Sequence, residues 1–302
     1  MIRTMEEQIR FWDRKEKRED VEKVYGDSLV RWLYETPMGK GLADRVLSRS
    51  WFSKLYGVYQ NTPLSSLKIE KFIQDFEIPI EEYEVPFGGF RNFNEFFIRP
   101  FRSGAREFVA DSRVMPAFAE ARYLAWDRID PEQLFPVKGK FLSPRKVLDD
   151  SKHTRCFEGG PMLLARLCPV DYHRFHFPDD GHLLAQRTLE GGLHSVNPVA
   201  LRARPEIFAE NERQVSILET RNFGKLAYVE VGAMCVGKIV QTHGALRDFK
   251  RGDEKGYFLF GGSTVIVLGE PGRWTPDSDL IANTQRKMET RIRLGESVAH
   301  RI

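Results

Sequence analysis

Tyr257-Phe258-Leu259-Phe260-Gly261-Gly262-Ser263-Thr264-Val265-Ile266-Val267-Leu268 places aromatic and β-branched residues on both sides of a Gly-Gly-Ser-Thr step. Such residues favour a pleated, half-buried surface, so the stretch predicts two strand segments meeting where the backbone needs unusual freedom. A bulge or a hairpin turn would meet that need. A chemical use would meet it too: a serine hydroxyl can attack the carbonyl before it, given a base to take the proton and glycine to let the chain bend. The choice rests on finding a base elsewhere in the chain.

Upstream of this stretch, from about Arg106, short strand candidates follow one another. They are Val114-Met115, Tyr123 to Trp126, Met162 to Leu167, Val215 to Leu218, Ala227 to Val231 and Cys235 to Val240, with turn-formers such as Glu158-Gly159-Gly160-Pro161 between them. One short helix is expected near Pro198 to Glu206. Many strands with little helix between them predict an antiparallel or mixed β domain rather than βαβ units. Before Arg106 the pattern is helical. Leu29, Trp32 and Leu33 share a face, Thr36-Pro37 punctuates, Leu42, Val46 and Leu47 resume, and a further helix covers about Leu64 to Phe76. Ile9 to Arg14 reads as a short edge strand and Lys15 to Lys23 as a solvated loop or helix start. The expectation is an α+β protein, with an N-terminal helical region over 1–105 packed on a β-rich domain over 106–302.

Composition narrows the function classes. With 302 residues and 41% apolar content the chain can bury a sizeable core, and a net charge of +3 offers no concentrated basic stripe for nucleic acid. Three cysteines without C-x-x-C spacing predict neither a disulfide framework nor a zinc site, and point to a reducing cytosolic setting. Charge crowded between Arg10 and Lys23 argues against a signal peptide, and no apolar run reaches the length of a membrane span. Arg31, Lys40, Arg45, Arg49 and Lys54 interleave with Trp32, Trp51 and Phe52, a mixture that suits either a lipid headgroup interface or an ordinary helix layer.

Candidate bases lie in Asp171-Tyr172-His173-Arg174-Phe175-His176-Phe177-Pro178. Alternate side chains of an extended segment share a face, so residues three apart point opposite ways, and His173 and His176 need not do the same job. Neither a metalloprotease helix, which needs histidines four apart, nor a G-x-S-x-G hydrolase elbow fits. No metal site is expected.

Six motifs then occur in order: Phe96 to Pro100, Asp171 to Pro178, Ser195 to Pro198, Phe208 to Arg213, Val231 to Gly237 and Lys255 to Thr264. Together they resemble the phosphatidylserine decarboxylase family, and the Gly-Gly-Ser-Thr variant resembles its bacterial second type. The resemblance runs from about Ile9 to Glu296. It implies a proenzyme that cleaves itself between Gly262 and Ser263, leaving a pyruvoyl group made from Ser263 as its only cofactor. A ketone conjugated with an amide carbonyl condenses with an amine and accepts the electrons released as carbon dioxide leaves. The resemblance further implies that His176 is the base toward Ser263, and that His173 assists decarboxylation by protonating the carbanion or placing the headgroup.

The family's third member, an aspartate in Pro-Ala-Asp-Gly that orients the histidine, is absent. Pro116-Ala117-Phe118-Ala119-Glu120-Ala121 stands there and puts Glu120 at the aspartate position without a gap, while Asp111 in Ala110-Asp111-Ser112-Arg113 is the alternative. The implied partners are phosphatidylserine and a membrane surface, approached peripherally from the cytoplasmic face. The protein itself would be a heterodimer of its two cleaved chains, with further dimerisation open. Two other readings stay beside this one: an unprocessed headgroup-binding relative, and a pyruvoyl decarboxylase of another amino-acid-like substrate.

Overall fold

Val265-Ile266-Val267-Leu268, a continuous apolar run, is buried on both faces of its strand, as a central strand covered above and below must be. The computed structural model describes residues 8–23, 32–33, 36–43, 57–129, 144–149, 151–203, 206–233, 238–244, 248–261 and 263–302. Its strands are β1 (Arg10–Asp13), β2 (Arg18–Val21), β3 (Val114–Pro116), β4 (Ala121–Trp126), β5 (Met162–Leu167), β6 (Arg174–His176), β7 (Gly181–Leu189) and β8 (Arg213–Thr220). They continue as β9 (Gly224–Gly232), β10 (Ile239–Gln241), β11 (Asp248–Phe249), β12 (Glu254–Phe258), β13 (Ser263–Gly269), β14 (Trp274–Pro276), β15 (Glu289–Ile292) and β16 (Ser297–Arg301).

Ten of them form one sheet in the order β11-β7-β8-β9-β13-β5-β4-β15-β1-β2. Every neighbouring pair in it is antiparallel except β1 with β15. Two three-stranded sheets, β10-β12-β6 and β14-β16-β3, complete the strands. Phe175 of β6 meets Phe258 of β12 at 4.9 Å and Tyr228 of β9 at 6.3 Å, so aromatic rings join the small sheet to the large one. The expected α+β class with a mixed, mainly antiparallel sheet is what the chain adopts.

Several local expectations change. The Gly-Gly-Ser-Thr step is neither bulge nor hairpin: β12 and β13 belong to different sheets, and the chain crosses between them there. Lys15 to Lys23, expected as loop or helix start, contains β2, which pairs with β1 through a turn holding Lys17 at φ 52°. β2 is the outermost strand of the sheet, and its Arg18, Glu19 and Asp20 blunt that edge against pairing with another chain. Since β1 and β2 belong to the ten-stranded sheet, the division expected near residue 105 is not a boundary of that sheet. Thr36-Pro37 punctuates as expected, between helical Trp32-Leu33 and a new helix (Pro37–Leu42) that runs on through Gly39 and Gly41, with Thr36 Oγ1 accepting the Gly39 N–H at 3.0 Å. Leu64 to Phe76 splits into a 3₁₀ turn, Pro63–Lys68, and an α-helix, Ile69–Phe76. The basic and aromatic residues Arg31, Arg45, Arg49, Trp51, Phe52 and Lys54 lie outside the described residues.

Behind the Gly-Ser step sits a second apolar cluster, separate from the main core. It gathers Phe72, Tyr83, Phe93, Phe96, Phe97, Tyr172 and Phe260. The helix Phe93–Phe97 presents three of these rings, capped by Asn92, whose side chain accepts the Glu95 N–H at 2.9 Å.

Candidate active site

Ser263 opens β13, paired with Gly232 of β9 on one side and Leu167 of β5 on the other, and has no exposed surface. The residues just before it are held by other means. The Phe260 N–H donates to Asn94 Oδ1 at 2.9 Å, and Asn94 Nδ2 donates to Asn61 Oδ1 at 2.9 Å. Gly261 adopts φ 143°, a conformation L side chains rarely take, which accounts for glycine there. Gly262, the other half of the expected cleavage site, lies outside the described residues.

The imidazole in contact with Ser263 is that of His173, with Oγ and Nδ1 3.4 Å apart. On the far side of the ring Nε2 lies 2.8 Å from the Cys168 carbonyl oxygen. A carbonyl only accepts, so Nε2 carries the proton and Nδ1 faces the serine with its lone pair. The ring is fully buried and stacks on Phe97 with centroids 3.8 Å apart. Burial brings its pKa down to about 3, and the nearby Arg99 guanidinium acts in the same direction. His173 is therefore a neutral acceptor at every ordinary pH.

His176, expected to face Ser263, is held elsewhere. Its Nδ1–H donates to the Gly252 carbonyl at 2.9 Å, and its Nε2 accepts from the Tyr172 hydroxyl at 3.1 Å. The period-two geometry of the strand explains the separation: His173 and His176 point to opposite sides, and only the first reaches β13. Burial lowers the pKa of His176 as well. Gly252, at φ 83°, packs against Phe108, which borders the same imidazole.

Glu120 does not support either histidine by contact. Arg106 holds it doubly, Nε to Oε2 at 2.5 Å and Nη2 to Oε1 at 2.8 Å, and the Leu294 N–H adds a third bond at 3.1 Å. Its negative charge is still felt at the Tyr172 phenol, whose pKa burial pushes up. Asp111 is at the surface, bound to Arg113 at 2.8 Å, and takes no part in the site.

Sequence reasoning did not single out Asn94, Phe97, Cys168 or Asp171 for the site. Phe97 and Asp171 lie inside motifs already noted, but Cys168 acts through a backbone carbonyl, which no side-chain pattern reveals.

A groove of about 530 Å³ opens beside the helix Phe93–Phe97, lined in part by Asn61, Val85, Phe90, Asn94, Arg174 and Leu259. Val58, Leu64, Leu67, Val85 and Phe87 are exposed apolar residues of the neighbouring segments, Phe87 entirely so. No helix among the described residues is long and apolar enough to cross a membrane.

The chain is similar to known proteins over nearly its whole length. A family profile described as phosphatidylserine decarboxylase matches residues 93–300. A phosphatidylserine decarboxylase proenzyme of Clostridium novyi is 40% identical over 294 residues, spanning 97% of this chain and 100% of the relative. Proenzymes of the same name from Clostridium perfringens and Clostridium tetani are 39% and 38% identical, spanning 97% and 96% of this chain and 100% and 97% of their own lengths. With a buried serine behind glycine, a neutral imidazole against its hydroxyl, and full-length likeness to these relatives, the chain belongs to the phosphatidylserine decarboxylase family.

Proposed function

We propose that the chain cuts itself between Gly262 and Ser263 and then decarboxylates phosphatidylserine to phosphatidylethanolamine. The observation that carries the reading is the 3.4 Å approach of the buried Ser263 hydroxyl to the lone pair of His173. His173 takes the hydroxyl proton as Oγ adds to the Gly262 carbonyl carbon. The peptide C–N bond breaks and the same proton passes to the released Ser263 nitrogen, leaving an ester. Loss of the Ser263 Cα proton expels Gly262 as a carboxylate and creates a carbon–carbon double bond. Tautomerisation and addition of water then release ammonia and leave the pyruvoyl group at residue 263. One positioned base contributes about 10²–10⁴-fold, enough for a reaction needed once per molecule.

The pyruvoyl group supplies the electron sink for decarboxylation. The surrounding residues fit it: Ser263 is fully buried, His173 stands at the atoms of residue 263, and Phe97 closes the face of that ring. His173 is also placed to return a proton to the carbon that loses carbon dioxide. The exposed apolar residues beside the groove, Leu64, Leu67, Val85 and Phe87, suit contact with the surface of a lipid bilayer, which would deliver the headgroup from the cytoplasmic face. The product is a pair of chains, 262 and 40 residues long, held together as a heterodimer.

Intact mass and a denaturing gel test the first step: the 35.0 kDa chain should give two fragments, and Ser263→Ala should stay whole. Prolonged incubation of the unaltered chain without any cut would reject the proposal. It would favour an unprocessed headgroup-binding protein, a reading to which the engagement of Glu120 by Arg106 gives some support. Carbon dioxide release from phosphatidylserine vesicles, compared with a soluble serine compound, tests the substrate.

A further inference from the structure

Cys168-Pro169-Val170-Asp171 forms a four-residue turn between β5 and β6, closed by the Asp171 N–H donating to the Cys168 carbonyl at 2.9 Å. Proline at its second position presets the backbone for such a turn. The same carbonyl oxygen accepts the Nε2–H of His173. The Asp171 side chain reaches back as well, its Oδ2 accepting the Cys168 N–H at 2.7 Å. Both polar groups of Cys168 are thus tied to Asp171, one through main chain and one through side chain.

The Asp171 carboxylate is itself gripped. Arg122 Nη1 donates to Oδ2 at 2.6 Å, and both residues are buried. Arg122 on β4 lies directly across from Arg166 on β5, and Arg166 contacts Glu22 and Glu289 through Nη2 at 2.6 and 2.5 Å. Two facing guanidiniums among three carboxylates make a buried lattice in which no single charge is left without a counter-charge. Arg166 stands on β5, the neighbour of β13, and Arg122 on β4, one strand further along the same sheet, so the lattice refers the turn to the rigid sheet that also carries Ser263.

We propose that Asp171 is a positioning residue: with Arg122 it fixes the Cys168 peptide so that its carbonyl sets both the orientation and the tautomer of His173. The triad logic is then kept with a carbonyl in the third place and the carboxylate one step further out. Without this clasp the Cys168 peptide can turn, the acceptor for Nε2–H is lost, and the Nδ1–H tautomer aims a proton at Ser263 where a lone pair is needed. Its consequence for self-cleavage rests on the role proposed above for His173; its effect on the ring does not.

Nitrogen-15 histidine NMR of the uncut Ser263→Ala chain, with His173 identified by loss of its signals in His173→Gln, separates the two. At pH 7 the Nε2–H tautomer alone is expected. Adding Asp171→Ala should move the His173 nitrogens toward the average of both tautomers, and Asp171→Asn, which keeps one acceptor for the Cys168 N–H, should move them part of the way. With Ser263 restored, Asp171→Asn should slow the cut by about tenfold or more. An unchanged Nε2–H tautomer in Asp171→Asn, with the other histidine signals undisturbed, overturns the inference whether or not the alanine variant folds. A changed tautomer with an unchanged rate of cutting upholds the inference and removes His173 from the self-cleavage step.

Discussion

Acid is the perturbation that tests the site most sharply, because His173 is buried where an ordinary histidine would be wet. Burial lowers its pKa from 6.5 to about 3. At pH 5 an unperturbed imidazole would be only about 3% neutral, and a base of that kind would cut about thirtyfold more slowly than at pH 8. With the lowered value about 99% of His173 keeps its lone pair at pH 5, so the rate of self-cleavage should be flat from pH 8 to pH 5. Stability moves in the same range with a definite sign. The folded pKa lies below the unfolded one, so the contribution is complete above pH 6.5 and is lost as pH falls toward 3. At pH 5 the unfolded chain has gained about 2 kcal/mol by protonation, which must be separated from chemistry. The assay is therefore dilution of urea-unfolded chain into buffers of different pH, following the 262-residue fragment by gel and tryptophan fluorescence for folding. A fall of about thirtyfold with a midpoint near pH 6.5, in chain that is still folded, would mean that a solvated imidazole does the work and would refute the argument.

Replacing His173 by glutamine should slow cutting by about a hundredfold or more, while His176→Gln should stay within about tenfold of the unaltered chain; the reverse order would return the base to His176. Glu120→Gln leaves the buried Arg106 with Glu82, 2.6 Å from Nη2, as its remaining carboxylate and should cost about 1–3 kcal/mol in urea unfolding, whereas Asp111→Asn at the surface should change neither unfolding nor cutting. Burial works against the Glu22 carboxylate, but Arg166 and Arg122 outweigh it and bring its pKa down to about 2. Its contribution is thus present above pH 4.5 and lost as pH falls through 2, so Glu22→Gln should lower stability by about 3 kcal/mol at pH 7 and by much less at pH 2.5.

What could be read from the residues alone follows from where each kind of information lies. The strands β4, β5, β8 and β9 were legible because their buried runs are rich in aliphatic and aromatic residues. β7 was missed: Gly181 to Leu189 carries His182, Gln186, Arg187 and Thr188, and its two faces differ too little in polarity to stand out. β2 was missed because an edge strand gains from the charges that also mark a loop. Ser263 and the histidine pair were found from their motifs. Which histidine meets the serine was not, since it depends on how β6 is placed against β13, and the two lie in different sheets. The partner of Glu120 was equally hidden, because Arg106 is fourteen residues away and nothing in either residue names the other.

Ser263 begins a strand with neighbours on both sides, and the 40 residues from Ser263 onward supply β13 and β15 to the interior of the large sheet and β14 and β16 to a smaller one. Scission there does not loosen a tail; it divides the framework between two molecules that remain interleaved. Before the cut, β13 reaches its slot by closing a loop within one chain, at an entropic cost set by loop length. Afterwards the same insertion is an encounter between separate partners and depends on concentration. Maturation therefore makes folding a one-way passage: denatured and diluted, the mature enzyme should regain far less of its structure than the Ser263→Ala precursor treated alike.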